Sequence, residues 1–207
     1  MCGFGVSNIT RLQSVNAKCQ KRGPDLTSSS IINGVEFLHN LLHITGDMSP
    51  QPFVKNDVVC VFNGEIYNFR SFGDYKSDGE AIIDVYNAHG DSFVSLLDGE
   101  FAICLIDFSK NKIIIANDVF ACKPLWYEFK GSNFCIASYN SQLQGLGFTD
   151  GVKLKGNKTQ VYDLKTFNLL NTFDNIIFDI NQHKNTYDDW INAFANSITK
   201  RTANTDK

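Results

Sequence analysis

The stretch that decides the fold is residues 58–68, Val58-Val59-Cys60-Val61-Phe62-Asn63-Gly64-Glu65-Ile66-Tyr67-Asn68. Its first five residues, Val58–Phe62, are all apolar, a pattern typical of a strand that is buried on both faces. The residues after them predict a junction between strand and turn, where the side-chain amide of Asn63 and the backbone N–H of Gly64 point the same way. Two such donors suit the negatively charged oxygen of a tetrahedral intermediate. The alternative is a plain hairpin turn, because Asn-Gly is a common turn dipeptide.

A second apolar run, Phe101–Ile106, lies further along the chain. Three short segments follow it, separated by turn-like residues, and this spacing indicates an antiparallel meander. These segments are Lys112–Ala116, Leu125–Phe129 and Asn133–Ala137. Because Val58–Phe62 and Phe101–Ile106 do not alternate with polar residues, we expect an antiparallel sheet that is covered on both sides, by helices or by a second sheet.

The flanking sequence predicts further strands and helices from the spacing of its apolar residues. The expected strands are Gly3–Ile9, Ile31–His39, Gln160–Asp163 and Asn168–Phe173. The expected helices are Arg11–Lys21, Glu80–Ala88, Ser92–Leu97 and Tyr187–Lys200. The last of these is amphipathic, and such a helix at the end of a chain often packs on something that follows it. The sequence therefore leaves two alternatives open: a chain of this length, or a fragment or truncated relative of a longer protein.

Composition and charge exclude several classes of protein. Of the 207 residues, 43% are hydrophobic, which suffices for a substantial core and excludes wholesale disorder. The net charge of −3 leaves no basic footprint, so we expect no nucleic-acid partner. No apolar run approaches the ~18–20 residues that span a bilayer, and the N-terminus lacks a secretory signal, so we expect no membrane partner. The six scattered cysteines predict no metal site and a reduced, cytoplasmic protein.

Cys2 follows the initiator methionine, and removal of Met1 would leave it with a thiol and a free α-amine. The reference pKa values of the two groups are about 8.5 and 7.7–8.0, so a proton can pass between them near neutral pH. Such a residue can serve as its own nucleophile and base. The plain alternative is an ordinary second residue, and position alone favours that alternative. The motifs downstream reverse this preference.

Six motifs in order carry a resemblance to a known family. They are Met1-Cys2-Gly3-Phe4-Gly5, Arg22-Gly23-Pro24-Asp25, Asn63-Gly64-Glu65-Ile66-Tyr67-Asn68, Ser77-Asp78-Gly79-Glu80, Leu97-Asp98-Gly99-Glu100-Phe101-Ala102 and Asp118-Val119-Phe120-Ala121-Cys122-Lys123-Pro124-Leu125-Trp126-Tyr127. Together they resemble the glutaminase domain of class II glutamine amidotransferases, in particular the branch of the glutamine-hydrolysing asparagine synthetases. The resemblance covers Cys2 to about Leu143 and is loose from there to about Asn181. It implies an amidotransferase domain over residues 1–180, followed over residues 181–207 by a helix that resembles the lead-in to an absent synthetase domain.

The resemblance implies an α+β N-terminal nucleophile hydrolase fold with four αββα layers, in which two antiparallel sheets are stacked. It implies that the enzyme cuts L-glutamine to glutamate and ammonia. The catalytic residues would be Cys2 as nucleophile, with its α-amine as the base, and Asn63 and Gly64 as oxyanion donors. The substrate-binding residues would be Leu41, Leu42, Ile44, Thr45, Glu65 and Asp78, the two acids holding the α-amino group. The glutaminase step would need no metal and no cofactor, whereas ATP and Mg would act on a synthetase-type partner or missing domain.

The sequence departs from the family pattern at Leu41, which stands where an arginine binds the α-carboxylate of glutamine. Losing such a contact costs about 1.5–3 kcal/mol, or about tenfold to a hundredfold in binding. Another cation, for example His43 or an arginine from elsewhere in the chain, then substitutes, or the substrate lacks the carboxylate, or the glutaminase is feeble or lost. Two alternative functions therefore stay open: an amidohydrolase for another amide, and a degenerate regulatory or scaffold module. Smaller departures are Asn117, Ala121 and Tyr139.

Overall fold

A computed structural model describes residues 1–44, 47–179, 181 and 186–202. Its strands are β1 (Gly3–Ser7), β2 (Leu26–Ile32), β3 (Val35–Leu41), β4 (Phe53–Lys55), β5 (Val58–Ile66), β6 (Gly99–Asp107), β7 (Lys112–Asn117), β8 (Trp126–Lys130), β9 (Asn133–Ala137), β10 (Val152–Lys153), β11 (Lys158–Asp163) and β12 (Leu169–Asp174). Its α-helices are α1 (Ala81–His89), α2 (Asn140–Gly145) and α3 (Asp188–Thr202). Short 3₁₀ helices span Leu12–Val15, Gln20–Arg22, Phe69–Ser71, Asp78–Glu80 and Gly90–Leu96.

The strands form two antiparallel sheets of six strands each. The first sheet has the order β10-β8-β9-β1-β3-β2, and the second has the order β12-β11-β7-β6-β5-β4. The apolar runs predicted from the sequence are the central strands β5 and β6 of the second sheet, which pair from Val58 opposite Asp107 to Ile66 opposite Gly99. Their central position explains why they lack polar alternation.

Successive side chains of β5 enter two different hydrophobic cores. Val61 belongs to the core between the two sheets, together with Phe4 of β1. Phe62, the next residue, belongs to the core between the second sheet and α1, together with Ile82. Burying each such side chain contributes roughly 1.5–3 kcal/mol.

The outer face of the first sheet is covered as well. Leu38 of β3 packs with Leu12 of the first 3₁₀ helix and with Leu143 of α2. Helical segments therefore flank two stacked antiparallel sheets, and the predicted α+β fold with four αββα layers is confirmed.

The structure differs from the prediction in several elements. The expected antiparallel meander from Phe101 to Ala137 is wrong, because β6 and β7 pair in the second sheet whereas β8 and β9 pair in the first. The expected strand Ile31–His39 is wrong, because Asn33 and Gly34, with φ of 49° and 78°, form a tight turn between β2 and β3. Positive φ at both central residues is the conformation that two-residue hairpin turns require, and Asn-Gly adopts it readily.

The expected helix Arg11–Lys21 is also wrong. The segment forms two short 3₁₀ helices, because contacts to the first sheet hold it in place. The backbone N–H of Leu12 donates to the Glu36 carboxylate at 2.8 Å, and the buried Asn16 side chain exchanges two hydrogen bonds with Asn40. These tertiary contacts outweigh the local helical preference.

The predicted C-terminal helix is present as α3. Its apolar residues stay exposed, for example Trp190 at 75% and Phe194 at 69%. Near its end, Lys200 forms an ion pair with Asp98, and the Arg201 guanidinium lies 4.9 Å from the centre of the Tyr67 ring. The division of the chain at residues 180 and 181 stays a prediction.

Candidate functional site

A pocket of about 100 Å³, partly open to solvent, lies between the start of β1, the end of β3 and the middle of β5. Eight of the nine predicted site residues line it: Cys2, Leu41, Leu42, Ile44, Asn63, Gly64, Glu65 and Asp78. The ninth, Thr45, lies outside the described residues. Residues from both sheets therefore meet in one pocket, although they are up to 76 positions apart in the chain (Cys2 to Asp78).

The segment that follows β3 holds the Cys2 side chain just before the start of β1. Its Sγ accepts a hydrogen bond from the Leu42 N–H at 3.3 Å, and its thiol faces the Leu42 carbonyl at 3.7 Å. Burial raises the pKa of the Cys2 thiol, whereas the hydrogen bond from the Leu42 backbone lowers it. The backbone of Cys2 is fixed too, because Arg22 Nε donates to its carbonyl at 2.8 Å.

Arg22 and Asp25 brace this segment rather than facing the pocket. The Arg22 guanidinium stacks over the ring of Tyr139 at 5.2 Å. The Asp25 carboxylate accepts the backbone N–H of His43 at 2.8 Å. The two residues of the Arg-Gly-Pro-Asp motif thus position Cys2 and the chain that follows β3.

Asn63 and Gly64 lie within β5, opposite Ala102 and Phe101 of β6, so the predicted turn at this point is wrong. The ladder continues through these residues because Gly64 brings the two strands very close. A Cβ at Gly64 would lie 2.1 Å from the Glu100 carbonyl oxygen and 2.6 Å from Phe101 Cα. Only glycine fits there.

The Asn63 side chain is only 1% exposed, and neither its Nδ2 nor its Oδ1 has a hydrogen-bond partner among the described residues. Buried amides are almost always paired, because leaving one unpaired costs about 1–3 kcal/mol. Since Asn63 also lines the pocket, its amide is ready to bond a ligand.

Two carboxylates, those of Glu65 and Asp78, also line the pocket. Asp78 accepts backbone hydrogen bonds from Ile66 and Gly79, both at 2.8 Å. Burial nevertheless raises the pKa of Asp78 to about 6. Burial also raises the pKa of Glu65, with a further increase from the negative charge of Glu100. A cation bound between Glu65 and Asp78 would stabilise their charged forms, so this part of the pocket suits a ligand ammonium.

Sequence analysis missed two buried polar residues that line the pocket, Gln51 and Lys123. The Gln51 side-chain oxygen accepts the Phe62 N–H at 2.7 Å and so fixes β5 just before Asn63. Lys123 Nζ forms an ion pair with Glu100 at 2.9 Å. Both residues precede a proline, in Gln51-Pro52 and Lys123-Pro124, and this context gives no indication of a ligand site.

The smaller departures from the family pattern have structural roles. Asn117 donates to the Leu154 carbonyl at 3.1 Å, within the buried end of β7. Ala121 adopts a φ of 49°, a conformation that glycine favours. Tyr139 stacks on Arg22.

The described residues include neither a membrane-spanning helix nor a cluster of metal ligands. None of the helices there is long and apolar enough to cross a membrane. Over the same ranges, no group of three or more His, Cys, Asp and Glu side chains is placed to hold a metal ion.

Comparison with known proteins agrees with this geometry. The profile of the glutamine amidotransferase domain family matches residues 1–197. The chain belongs to this family. This amidotransferase domain is 33% identical over 144 residues to the probable glutamine-hydrolysing asparagine synthetase of Schizosaccharomyces pombe, a match that covers 64% of this chain and 26% of that protein. It is 34% identical to the asparagine synthetase of Gallus gallus, over 61% of this chain and 26% of that protein.

The domain spans about a quarter of the length of these relatives. Among solved structures, the glutamine phosphoribosylpyrophosphate amidotransferase of B. subtilis matches 86% of this chain and 50% of its own, with a TM-score of 0.64 and 14% identity. This likeness concerns the fold and agrees with the stacked antiparallel sheets described above. The resemblance to class II amidotransferases of the asparagine synthetase type is confirmed.

Proposed function

We propose that this amidotransferase domain hydrolyses the side-chain amide of L-glutamine to glutamate and ammonia through the thiol of Cys2. The observation that carries the proposal is the buried amide of Asn63, which has no hydrogen-bond partner among the described residues and lies in the same pocket as that thiol. Family membership supports the substrate. The two acids that line the same pocket, Glu65 and Asp78, support recognition of the substrate's α-ammonium.

In this proposal the Cys2 sulfur attacks the amide carbon as its proton passes to the α-amine of the same residue. The carbonyl oxygen becomes an oxyanion that Asn63 Nδ2 and the Gly64 N–H stabilise. The amine returns the proton to the leaving nitrogen, the C–N bond breaks, and ammonia departs from a thioester. Water then attacks the thioester, which releases glutamate and restores the thiol.

The proposal requires removal of Met1, since an intact chain has an amide nitrogen at Cys2. Met1 is 55% exposed and so is open to an aminopeptidase. The free amine would then lie beside the sulfur in a partly buried site. Burial lowers the pKa of the amine now carried by Met1, and the same effect on Cys2 would favour the neutral form that acts as a base.

We infer that the ammonia passes to a synthetase-type domain or subunit, where ATP and Mg act, and that the glutaminase step uses no metal or cofactor. The length of the matched asparagine synthetases supports such a partner. The exposed apolar side of α3, with Trp190 and Phe194, supports a docking surface for it. The six free cysteines support a reducing, cytoplasmic setting.

The test is glutamate release from L-glutamine by the wild type and by Cys2→Ala, with L-asparagine as a control substrate. Cys122→Ser is the matched control, because Cys122 is an exposed free cysteine outside the pocket. We expect the wild type and Cys122→Ser to release glutamate and Cys2→Ala to be inactive, with intact mass showing loss of Met1. Equal release by wild type and Cys2→Ala would refute the nucleophile, and retained Met1 would refute the base.

A further inference from the structure

The substrate of the proposed reaction carries an ammonium and a carboxylate on one carbon atom. Glu65 and Asp78 supply acids for the ammonium, so a cation is required nearby for the carboxylate. Leu41 at the end of β3 lines the pocket but has no charge to offer. Another cationic group of this chain must therefore lie near Glu65 and Asp78.

Lys123 is such a group, and it is buried, with 8% of its surface exposed. Its Nζ donates to Glu100 Oε1 at 2.9 Å, and Glu100 stands directly opposite Glu65 in the ladder between β5 and β6. The ammonium of Lys123 is therefore near the carboxylate that would hold the substrate's α-ammonium, and its charge acts to lower the pKa of Glu65. The Glu65 carboxylate and the Lys123 ammonium thus stand near each other, as recognition of the two charges of an α-amino acid requires.

Lys123 has hydrogen-bonding capacity left for a ligand. A lysine ammonium has three N–H donors. Over the described ranges, Glu100 is its single hydrogen-bond acceptor, so two donors stay available to a carboxylate oxygen in the pocket. Glu100, the partner of Lys123, is not fully buried, since its side chain is 31% exposed.

The loop that carries Lys123 is fixed before any ligand binds. The buried Asp118 carboxylate accepts three backbone N–H groups, from Phe101 at 2.9 Å, Phe120 at 2.8 Å and Cys122 at 3.0 Å. The first of these bonds ties the loop to β6 beside Glu100. Such prior ordering reduces the entropy lost when a ligand is bound.

The other cationic groups around the pocket are less suitable. The amine of Met1 disappears when Met1 is removed, and the amine of Cys2 is assigned to proton transfer. Arg22 is occupied by the Cys2 carbonyl and the Tyr139 ring. An imidazole is in general charged over only part of the physiological pH range, whereas an ammonium is charged throughout.

We propose that Lys123 binds the α-carboxylate of the amide substrate and thereby selects α-amino acid amides over amides that lack this carboxylate. The inference rests on the proposed glutaminase function and assigns a specificity residue within that site. It also explains how an amidotransferase domain can dispense with an arginine at Leu41.

The test compares Lys123→Met with the wild type on two substrates, L-glutamine and 4-aminobutanamide, which is glutamine without its carboxylate. We expect Lys123→Met to raise KM for glutamine by about tenfold to a hundredfold, with kcat little changed and KM for 4-aminobutanamide unchanged. Lys123→Arg should keep most of the glutamine affinity. Lys112→Met is the matched control, because Lys112 forms an ion pair of 2.7 Å with Asp91 away from the pocket.

Two results would overturn the inference. Unchanged KM for glutamine in Lys123→Met means that the carboxylate binds elsewhere. An equal rise of KM for both substrates means that Lys123 acts only by bracing Glu100. Adding Leu41→Arg to Lys123→Met should restore glutamine affinity, which also shows that the variant is folded.

A binding measurement separates this inference from the proposed function. If the wild type releases no glutamate, the proposed function fails, and calorimetric titration of glutamine into wild type and Lys123→Met then decides the role of Lys123. Weaker binding by Lys123→Met supports the inference. Equal binding, or no binding by the wild type, overturns it.

Discussion

Replacing Asn63 by leucine should stabilise the protein while abolishing its activity. The Asn63 side chain is 1% exposed, and neither polar atom of its amide has a hydrogen-bond partner over the described ranges. Keeping such a group buried costs about 1–3 kcal/mol, whereas an apolar side chain of similar volume has no such cost. We therefore expect Asn63→Leu to raise the free energy of unfolding by about 1–3 kcal/mol. Loss of one oxyanion donor lowers kcat by about 10²–10³-fold.

Asn40→Leu is the matched control, because Asn40 is also a fully buried asparagine but is fully paired. Its amide exchanges hydrogen bonds of 2.8 and 3.0 Å with Asn16, and its Oδ1 accepts a third from Thr27 at 2.9 Å. Removing it leaves those partners unpaired, so we expect a loss of about 2–4 kcal/mol in the free energy of unfolding.

The two variants should thus change stability in opposite directions. Urea denaturation, followed by circular dichroism, gives the free energies of unfolding, and glutamate release gives the activity. If Asn63→Leu loses stability as Asn40→Leu does, the Asn63 amide has a structural partner and the reasoning fails. If Asn63→Leu keeps its activity, the amide is not an oxyanion donor.

Three further predictions concern the same region. Burial raises the pKa of Asp78 to about 6, so this carboxyl gains a proton as the pH falls through 6 and no longer attracts the substrate ammonium. In the Cys2→Ala background, the dissociation constant of glutamine measured by calorimetry should rise below pH 6, and Asp78→Asn should remove that inflection. Gly64→Ala should lower the free energy of unfolding by about 3 kcal/mol or more, because the added Cβ meets backbone atoms of β6; a smaller loss in urea denaturation would contradict the close approach. Ala121→Gly should raise that free energy by about 0.5–1 kcal/mol, since it relieves a φ of 49°; an unchanged denaturation midpoint would contradict the expected strain.

The architecture could be predicted where burial on both faces of a strand makes consecutive residues apolar. Val58–Phe62 and Phe101–Ile106 are apolar because each side of the second sheet faces a core, one shared with the first sheet and one with α1. The presence of two covered sheet faces therefore follows from two short runs. The pairing partners of the strands do not follow from them, since any strand of that composition satisfies the same burial.

The errors arose where distant contacts outweigh local sequence. The polar strand β2 runs at the edge of the first sheet, and its Ser28–Ser30 segment carries no apolar alternation to distinguish it from a loop. The segment after Arg11 has helical spacing, but Glu36 and Asn40 of β3 hold it in short 3₁₀ turns. Neither outcome can be derived without knowing which residues the fold brings together.

In the candidate site, too, some residues could be predicted from the sequence and others could not. Cys2, Asn63, Glu65 and Asp78 stand in motifs whose residue types suggest their chemistry, and the structure places them around one pocket. Lys123 stands in a loop after β7, and its sequence context gives a lysine before a proline and nothing about a ligand. Its place beside Glu65 depends on the ladder between β5 and β6 and on the Asp118 carboxylate, both of which are tertiary facts.

The pocket concentrates features that lower stability, and this concentration is itself an argument for function. Asn63 is buried with no hydrogen-bond partner in the part of the chain that the structure describes. Asp78 is a carboxylate whose burial raises its pKa to about 6, and Glu65 faces the like charge of Glu100 across the ladder. A missing partner alone is weak evidence, because Asn117 Oδ1 is also unpaired while its amide nitrogen bonds the Leu154 carbonyl in the interior. What distinguishes the pocket is that its unfavourable groups share one opening and that a single α-amino acid amide would satisfy them all: an ammonium for the acids, and an oxyanion for Asn63.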